Sequence, residues 1–472
     1  MSVLESTTET MDYSSPTAGA GPLLTVAVIG VGTAGVSAVK WCKQRGLNVV
    51  GFEKEAKCGG IWRHGTAHSP AYDSLYTNSS GTMMCLGDFD GRFKGTFPSH
   101  RETCEYYDAY MSTYDLHRLV RWNTLVDKVY KRGDKWAVEF HELPYGAPKR
   151  EYYDRVIICA GKLWIPSLPA WVPKERLIQP QGGMLVLHSR DYRNPQPFAG
   201  KRVVVVGVGN SALDISLELA RDPSVQKPIL VSCRRGTVVM PIDDKLGNPV
   251  DPIVTSRAFQ YLASGGARNA VMINNVREVN EEFRKYGLPA PPNKDQFLAL
   301  ENPVSNLKDS RGYLSALRDG MIQFVDGVTG FGEDGHTLLT KSGSITDVGA
   351  AIFCTGYRVG LDFLDMDVRS RMVCTAKQKN GSTAEYVDLY KNMVYAQDPT
   401  IAFLVYLTSF GNESVVGSMQ ARWITRFWTD PVFARKVYSF EQFKKESAAR
   451  AKFIAASNVS NPFFVRKSQS CR

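Results

Sequence analysis

The sequence predicts an α/β protein of two Rossmann-like dinucleotide-binding domains, the second inserted into a discontinuous first. Three observations predict it. An apolar run, a G-x-G-x-x-G/A turn and an amphipathic stretch occur in succession twice, over 26–45 and over 202–221. A further apolar run follows each, at 48–52 and at 229–232, which is the spacing of a β-α-β unit. Two more apolar runs, 155–159 and 351–354, each end in a small residue and a glycine, Ala160-Gly161 and Thr355-Gly356.

Residues 1–22 are rich in Ser and Thr and lack the basic start and apolar centre of a signal peptide, so they read as a disordered tail. The run 26–29 reads as a buried strand leading into Gly30, Gly32 and Gly35. Gly30 permits the tight turn, Gly32 lets backbone approach a pyrophosphate, and Gly35 lets helix and strand pack closely. A helix over 36–45 then offers unpaired N–H groups to phosphate. The strand 48–52 ends in Glu53, 18 residues after Gly35, where a carboxylate can accept hydrogen bonds from ribose hydroxyls.

The unit restarts with a strand over 202–206, the turn Gly207, Gly209 and Ala212, and a helix over 211–221. Its second strand, 229–232, runs into "CRRG", so Arg234 and Arg235 stand where Glu53 stood. A carboxylate there repels the 2′-phosphate of NADP, and a guanidinium pairs with it. Two sites of opposite preference point to a flavin held at the first and a nicotinamide delivered at the second, FAD and NADPH. The repeated small-Gly strand ends mark where the chain enters and leaves the insert. The expected map is a tail (1–22), an FAD-binding domain (23–187 with 325–450), an NADP-binding domain (188–324) and a C-terminal segment (451–472). Within the insert, 245–310 carries no cofactor motif, and its prolines at 289, 291 and 292 mark a loop.

Both glycine turns, "GGIWR" (59–63), "LYTNSS" (75–80), "FPSHRE" (97–102), "CRRG", "CTGY" and "QARW" (420–423) stand in the order of the flavin-containing monooxygenases, and most of 25–430 resembles that family of class B flavoproteins. The family fingerprint F-x-G-x-x-x-H-x-x-x-F/Y is half kept. His188 and Tyr192 match, whereas Gly182 and Met184 stand at the aromatic and glycine positions. The resemblance implies FAD reduced by NADPH, a C4a-(hydro)peroxyflavin formed with O₂, and transfer of one oxygen atom to a nucleophilic nitrogen or sulfur of a small organic molecule, a secondary metabolite among the candidates. Tyr192, where Baeyer–Villiger members carry Trp, leans away from carbon-directed oxygenation, the alternative. By the same resemblance Asn78 is the active-site asparagine, and Gly60, Trp62, Arg63, Asn210, Ser211, Thr355 and Gly356 join the cofactor contacts. The residues alone also fit a turn-forming Asn78, an ion-paired Arg63, a linker-ordering His188 and a structural Asp214.

Composition narrows the rest. Nine scattered cysteines without C-x-x-C fit a reduced, cytoplasmic chain, and the scattered histidines give no metal motif. A flavoprotein disulfide reductase has the same architecture but needs a redox cysteine pair, for which only Cys58 and Cys85 offer themselves. The net charge of +10 comes without interleaved basic and aromatic residues, so nucleic acid is not expected as a partner. No apolar run reaches membrane-spanning length, and the charged C-terminus reads as a surface helix, not a stable membrane anchor. A homodimer stays open.

Overall fold

The computed structural model describes residues 23–456, apart from 67–68, 92, 94–95, 174, 176, 178–182, 235, 241, 244–247, 257–276, 291–297, 301–311, 378–382 and 408–411. The expected tail, Gly182, Arg235, Pro291, Pro292, much of 245–310 and the segment from 457 onward lie outside the described residues.

Two five-stranded parallel sheets organise the chain. The first runs, in spatial order, Ile401–Phe403, Arg155–Ile158, Thr25–Ile29, Asn48–Phe52 and Val120–Arg121. The second runs Leu185–His188, Ala350–Phe353, Val203–Val206, Ile229–Cys233 and Ile322–Asp326. In this order the sheets correspond strand for strand. In each, an antiparallel three-stranded sheet interrupts the chain: Thr124–Arg132, Lys135–Glu142 and Lys149–Tyr153 ahead of Arg155–Ile158 in the first, Val328–Phe331, Leu338–Thr340 and Ser344–Ile345 ahead of Ala350–Phe353 in the second. The outermost strands are exchanged in chain order. The second sheet takes its outer strand from ahead of its glycine turn, and the first takes Ile401–Phe403 from beyond the insert.

This pairing corrects the expected domain map. Leu185–His188 already belongs to the second sheet, and Ala350–Phe353 is hydrogen-bonded between Val203–Val206 and Leu185–His188, so neither 188 nor 324 is a division. The chain leaves the first sheet after Ile158 and returns after Phe353, at the two small-Gly strand ends. The helices begin earlier than expected, at Thr33–Gln44 and Asn210–Arg221, which puts Gly35 inside the first turn of its helix.

Apolar alternation explains why each sheet is covered on both faces. Val26 and Val28 pack with Val36, Val39 and Trp41 of the first helix, and Ala27 and Ile29 pack with Trp136, Val138 and Phe140 of the antiparallel sheet. Val203 and Val205 pack with Leu213 and Leu217, and Val204 and Val206 with Val328, Leu338 and Ile345. A strand buried on both faces reads as an unbroken apolar run, and each valine so buried contributes about 1.5–3 kcal/mol. The helix Glu413–Thr429 closes the first unit: Trp41 Nε1 donates to Ser418 Oγ at 3.3 Å.

Candidate functional site

The first glycine turn is built by backbone contact. Gly30 has φ +87°, its N–H donates to the Phe52 carbonyl at 2.8 Å, and a Cβ there would lie 2.7 Å from the Cys159 carbonyl oxygen. A Cβ on Gly35 would lie 2.0 Å from the Gly30 carbonyl oxygen, so helix and strand meet with no room for a side chain. Gly32 caps the helix, and the Val36 N–H closes its first bond onto the Gly32 carbonyl at 3.0 Å. The N–H groups of Thr33, Ala34 and Gly35 therefore precede the intrahelical ladder and form an anion-ready end. Across the turn lies Gly60, opening the short Gly60–Trp62 turn, and a Cβ on Gly60 would stand 3.2 Å from the Gly32 Cα. Two backbones without side chains thus face one another, a cradle that suits the pyrophosphate of a dinucleotide.

Glu53 is buried, yet both carboxylate oxygens are engaged by backbone. Val31 N–H donates to Oε2 at 2.6 Å and Glu55 N–H to Oε1 at 3.0 Å. Burial holds its carboxyl above the usual range, opposed by these two bonds. Each oxygen keeps a lone pair for a ribose hydroxyl. Arg63 turns elsewhere: Nη2 pairs with Asp108 at 2.7 Å and Nε donates to the Cys58 carbonyl at 2.8 Å, fastening the 58–63 loop to the helix His100–Thr113. Trp62 is half-buried beside it.

Asn78 lies in a stretch whose neighbours are committed. Thr77 Oγ1 donates to the Ser79 carbonyl at 2.7 Å, and the Thr77 N–H donates to the Pro98 carbonyl at 2.8 Å. The half-buried Asn78 amide forms no hydrogen bond with the described residues, so it does not cap this turn.

The second turn repeats the first. Gly207 has φ +124°, its N–H donates to the Ser232 carbonyl at 2.9 Å, and a Cβ there would lie 2.5 Å from the Cys354 carbonyl oxygen. Gly209 caps the helix that Asn210 and Ser211 open, and Ala212 N–H donates to the Gly209 carbonyl at 2.9 Å. Because Gly30 bonds to Phe52 and Gly207 to Ser232, Cys233 is the position equivalent to Glu53, and Arg234 stands one residue beyond it. Arg234 is exposed, with no ion-pair partner among the described residues, and Gly327 packs against its backbone.

Thr355 and Gly356, expected with the returning part of the first unit, instead end the second sheet's strand and brace the crossing between units. Thr355 Oγ1 donates to the Ser167 carbonyl at 2.6 Å, and the Gly356 carbonyl accepts from Ser167 N–H at 2.9 Å and from His188 Nε2 at 3.0 Å. His188 Nδ1 accepts from Arg190 N–H at 3.1 Å, which fixes the neutral imidazole with its proton on Nε2. Burial lowers its pKa from 6.5 to about 4. The unfolded chain therefore takes up this proton first, so the contribution of neutral His188 is complete above pH 6.5 and is lost as pH falls through about 4. His188→Gln, which keeps a donor, is expected to flatten the acid loss of stability across that window by ~2 kcal/mol, read from urea midpoints at stepped pH.

Sequence reasoning missed the pair Lys162–Glu413 (2.5 Å) and the bond from Ser80 N–H to Asp251 Oδ2 (2.7 Å). Both join residues far apart in the chain, and no local pattern signals them. Asp214 accepts from the Tyr72 hydroxyl, a structural use. Cys58 donates to Asp108 and Cys85 accepts from Gly91 N–H; the described cysteines are all free. Burial pushes the Cys58 thiol well up and Cys104 to about 11, so neither is a ready thiolate. Among the described residues there is no metal-holding cluster and no helix long and apolar enough to cross a membrane.

Two glycine turns, each opening a helix over its own parallel sheet, give the chain the fold of a two-nucleotide oxidoreductase. A family model described as flavin-binding monooxygenase-like matches residues 24–456, and the chain belongs to that family, whose cofactors are FAD and NADPH. Dimethylaniline monooxygenase (N-oxide-forming) 2 of Rattus norvegicus is 30% identical over 85% of this chain and 72% of its own. The structure of S-allyl-L-cysteine S-oxygenase from Allium sativum aligns with TM-score 0.62 at 20% identity, covering 95% of this chain and 86% of that one. That of OTEMO in complex with FAD and NADP aligns with TM-score 0.64 at 16% identity, covering 93% and 92%. Both are likenesses of fold.

Proposed function

We propose that this flavin monooxygenase uses NADPH and O₂ to place one oxygen atom on a nucleophilic nitrogen or sulfur of a small organic molecule, in the cytoplasm. The observation that carries it is the contrast between the turns: a backbone-held Glu53 at one and, at the other, an exposed Arg234 with no ion-pair partner among the described residues. Gly30, Gly32, Gly35, Glu53, Gly60 and Trp62 would hold FAD, with Arg63 fixing the loop. Gly207, Gly209, Asn210, Ser211 and Arg234 would hold NADPH, with Arg235 beside it in sequence. Bound flavin supplies the redox chemistry and the activated oxygen. The chain supplies orientation: N–H groups on the pyrophosphates, Glu53 on a ribose, Arg234 on the 2′-phosphate. The Asn78 amide, without a partner among the described residues, supplies a neutral donor that can stabilise a developing oxyanion without a proton transfer. A relative named as N-oxide-forming, 30% identical, supports a soft heteroatom.

The experiment is anaerobic reduction by NADPH followed by mixing with O₂. A long-lived near-ultraviolet absorbance distinct from oxidised flavin is expected, and direct return to oxidised flavin would count against a monooxygenase. In the same assay Arg234→Ala should raise the KM for NADPH roughly tenfold or more, the loss of a charge-assisted hydrogen bond, with NADH little changed.

A further inference from the structure

The stretch 69–80, which carries Asn78, belongs to the first unit by chain order but is held at both ends by the second. At its start Arg193 Nη2 donates to the Ser69 carbonyl at 3.0 Å, Asp73 N–H donates to the Arg193 carbonyl at 2.9 Å, and the Asn194 amide donates to Asp73 Oδ2 at 3.0 Å. The buried Tyr72 donates to Asp214, on the same helix whose N-terminus forms the second nucleotide cradle. At its end Ser80 N–H donates to Asp251 Oδ2 at 2.7 Å, and Thr255 of the same short helix, Asp251–Thr255, faces Met83 Sδ at 3.8 Å. Between these ends, Thr77 N–H to Pro98 and His100 N–H to Leu75 tie the stretch to its own unit.

Neither cradle uses Asp251. It comes from the motif-poor part of the insert, and its carboxylate is half-buried, with Oδ1 withdrawn from solvent. A bond accepted by a partly buried carboxylate is stronger than its surface counterpart. Ser80 is two residues from Asn78, so a shift of the Ser80 amide moves the Asn78 backbone with it.

We propose that Asp251 is a positioning residue: by gripping the Ser80 N–H, it couples the seat of the second nucleotide to the Asn78 amide. The contacts at Tyr72 and at Ser80 make 69–80 a strap between the units, and any displacement of the second unit on nucleotide binding reaches Asn78 through hydrogen bonds at both ends. The inference rests on the role proposed above for Asn78. A mere cap on the turn at Gly81–Met84 would also lose stability when Asp251 is removed, but would not make the strap respond to nucleotide.

The test uses the full-length, FAD-loaded protein and measures amide hydrogen exchange over 76–84 with and without NADP⁺. In the wild type, NADP⁺ is expected to slow exchange at Ser80. Asp251→Ala should speed that exchange about tenfold, the factor for losing one charge-assisted bond, and abolish the response to NADP⁺. Asp251→Asn, whose amide oxygen can still accept from Ser80, should restore the response. Peroxide released per NADPH consumed should rise in Asp251→Ala, with the KM for NADPH within about twofold of wild type. A response to NADP⁺ in Asp251→Ala equal to that of the wild type overturns the proposal. Should that variant not fold, Tyr72→Phe removes only the hydroxyl bond to Asp214, and an undiminished response over 70–76 overturns the strap. A wild type that consumes no NADPH with O₂ sinks the proposed function but leaves the exchange arms readable.

Discussion

Gly35→Ala is expected to purify without flavin, whereas Gly207→Ala should keep its flavin but no longer be reduced by NADPH. At Gly35 the added methyl would lie 2.0 Å from the Gly30 carbonyl oxygen and 2.9 Å from its carbon. Both atoms are backbone, and Gly30 is itself fixed by its bond to Phe52, so the helix must retreat. A retreat of about 1 Å carries the N–H groups of 33–35 out of hydrogen-bond range of a pyrophosphate, and losing two such charge-assisted bonds lowers affinity by roughly 100-fold or more. At Gly207 the obstacle is double: φ +124° is a backbone conformation L residues rarely adopt, and the methyl would lie 2.5 Å from the Cys354 carbonyl oxygen. Each first glycine abuts the small-Gly strand end of its own sheet, so each lesion should stay local. Flavin absorbance per protein and the rate of NADPH reduction read the two outcomes. Full flavin in Gly35→Ala would remove the first turn from the flavin site. Loss of both nucleotides in Gly207→Ala would mean that the two units do not stand independently.

Much of this architecture was legible in the sequence, because the local signals are those of backbone geometry. Gly30, Gly35 and Gly207 are required by contacts under 3 Å, and Glu53 by two backbone donors. The place of Ala350–Phe353 was not legible. Its residues alternate into two apolar clusters as Val203–Val206 do, and a doubly buried parallel strand carries no mark of which sheet it joins. Only the pairing to Val203–Val206 on one side and Leu185–His188 on the other decides it. Nor could spacing show that Arg63 answers Asp108, that Asn78 has no partner among the described residues, or that Asp251 reaches back 171 residues to Ser80. Each is a property of juxtaposition, not of order along the chain.

The same holds for Lys162 and Glu413, 251 residues apart, where the next largest effect is expected. Lys162 follows Ala160-Gly161, is 6% exposed, and donates both to Glu413 Oε1 at 2.5 Å and to the Leu407 carbonyl. Glu413 opens the helix Glu413–Thr429, where its charge also suits the helix dipole. Glu413→Ala removes the carboxylate paired with a buried ammonium, a change that costs ~3 kcal/mol at neutral pH. The pH dependence follows from Lys162. Burial already holds it below its ordinary value, and loss of the Glu413 carboxylate lowers it further. Between its folded and unfolded pKa the unfolded chain binds more protons, so stability rises with pH there, over a wider window in the variant. The deficit of Glu413→Ala in urea midpoint should therefore be widest near neutral pH and narrow as the pH is raised toward the ordinary lysine range. Lys162→Met combined with Glu413→Ala should recover most of the loss, since neither charge is then desolvated. A deficit constant across this range, or a double variant no better than Glu413→Ala, would mean that the helix terminus, not the buried ammonium, carries the effect.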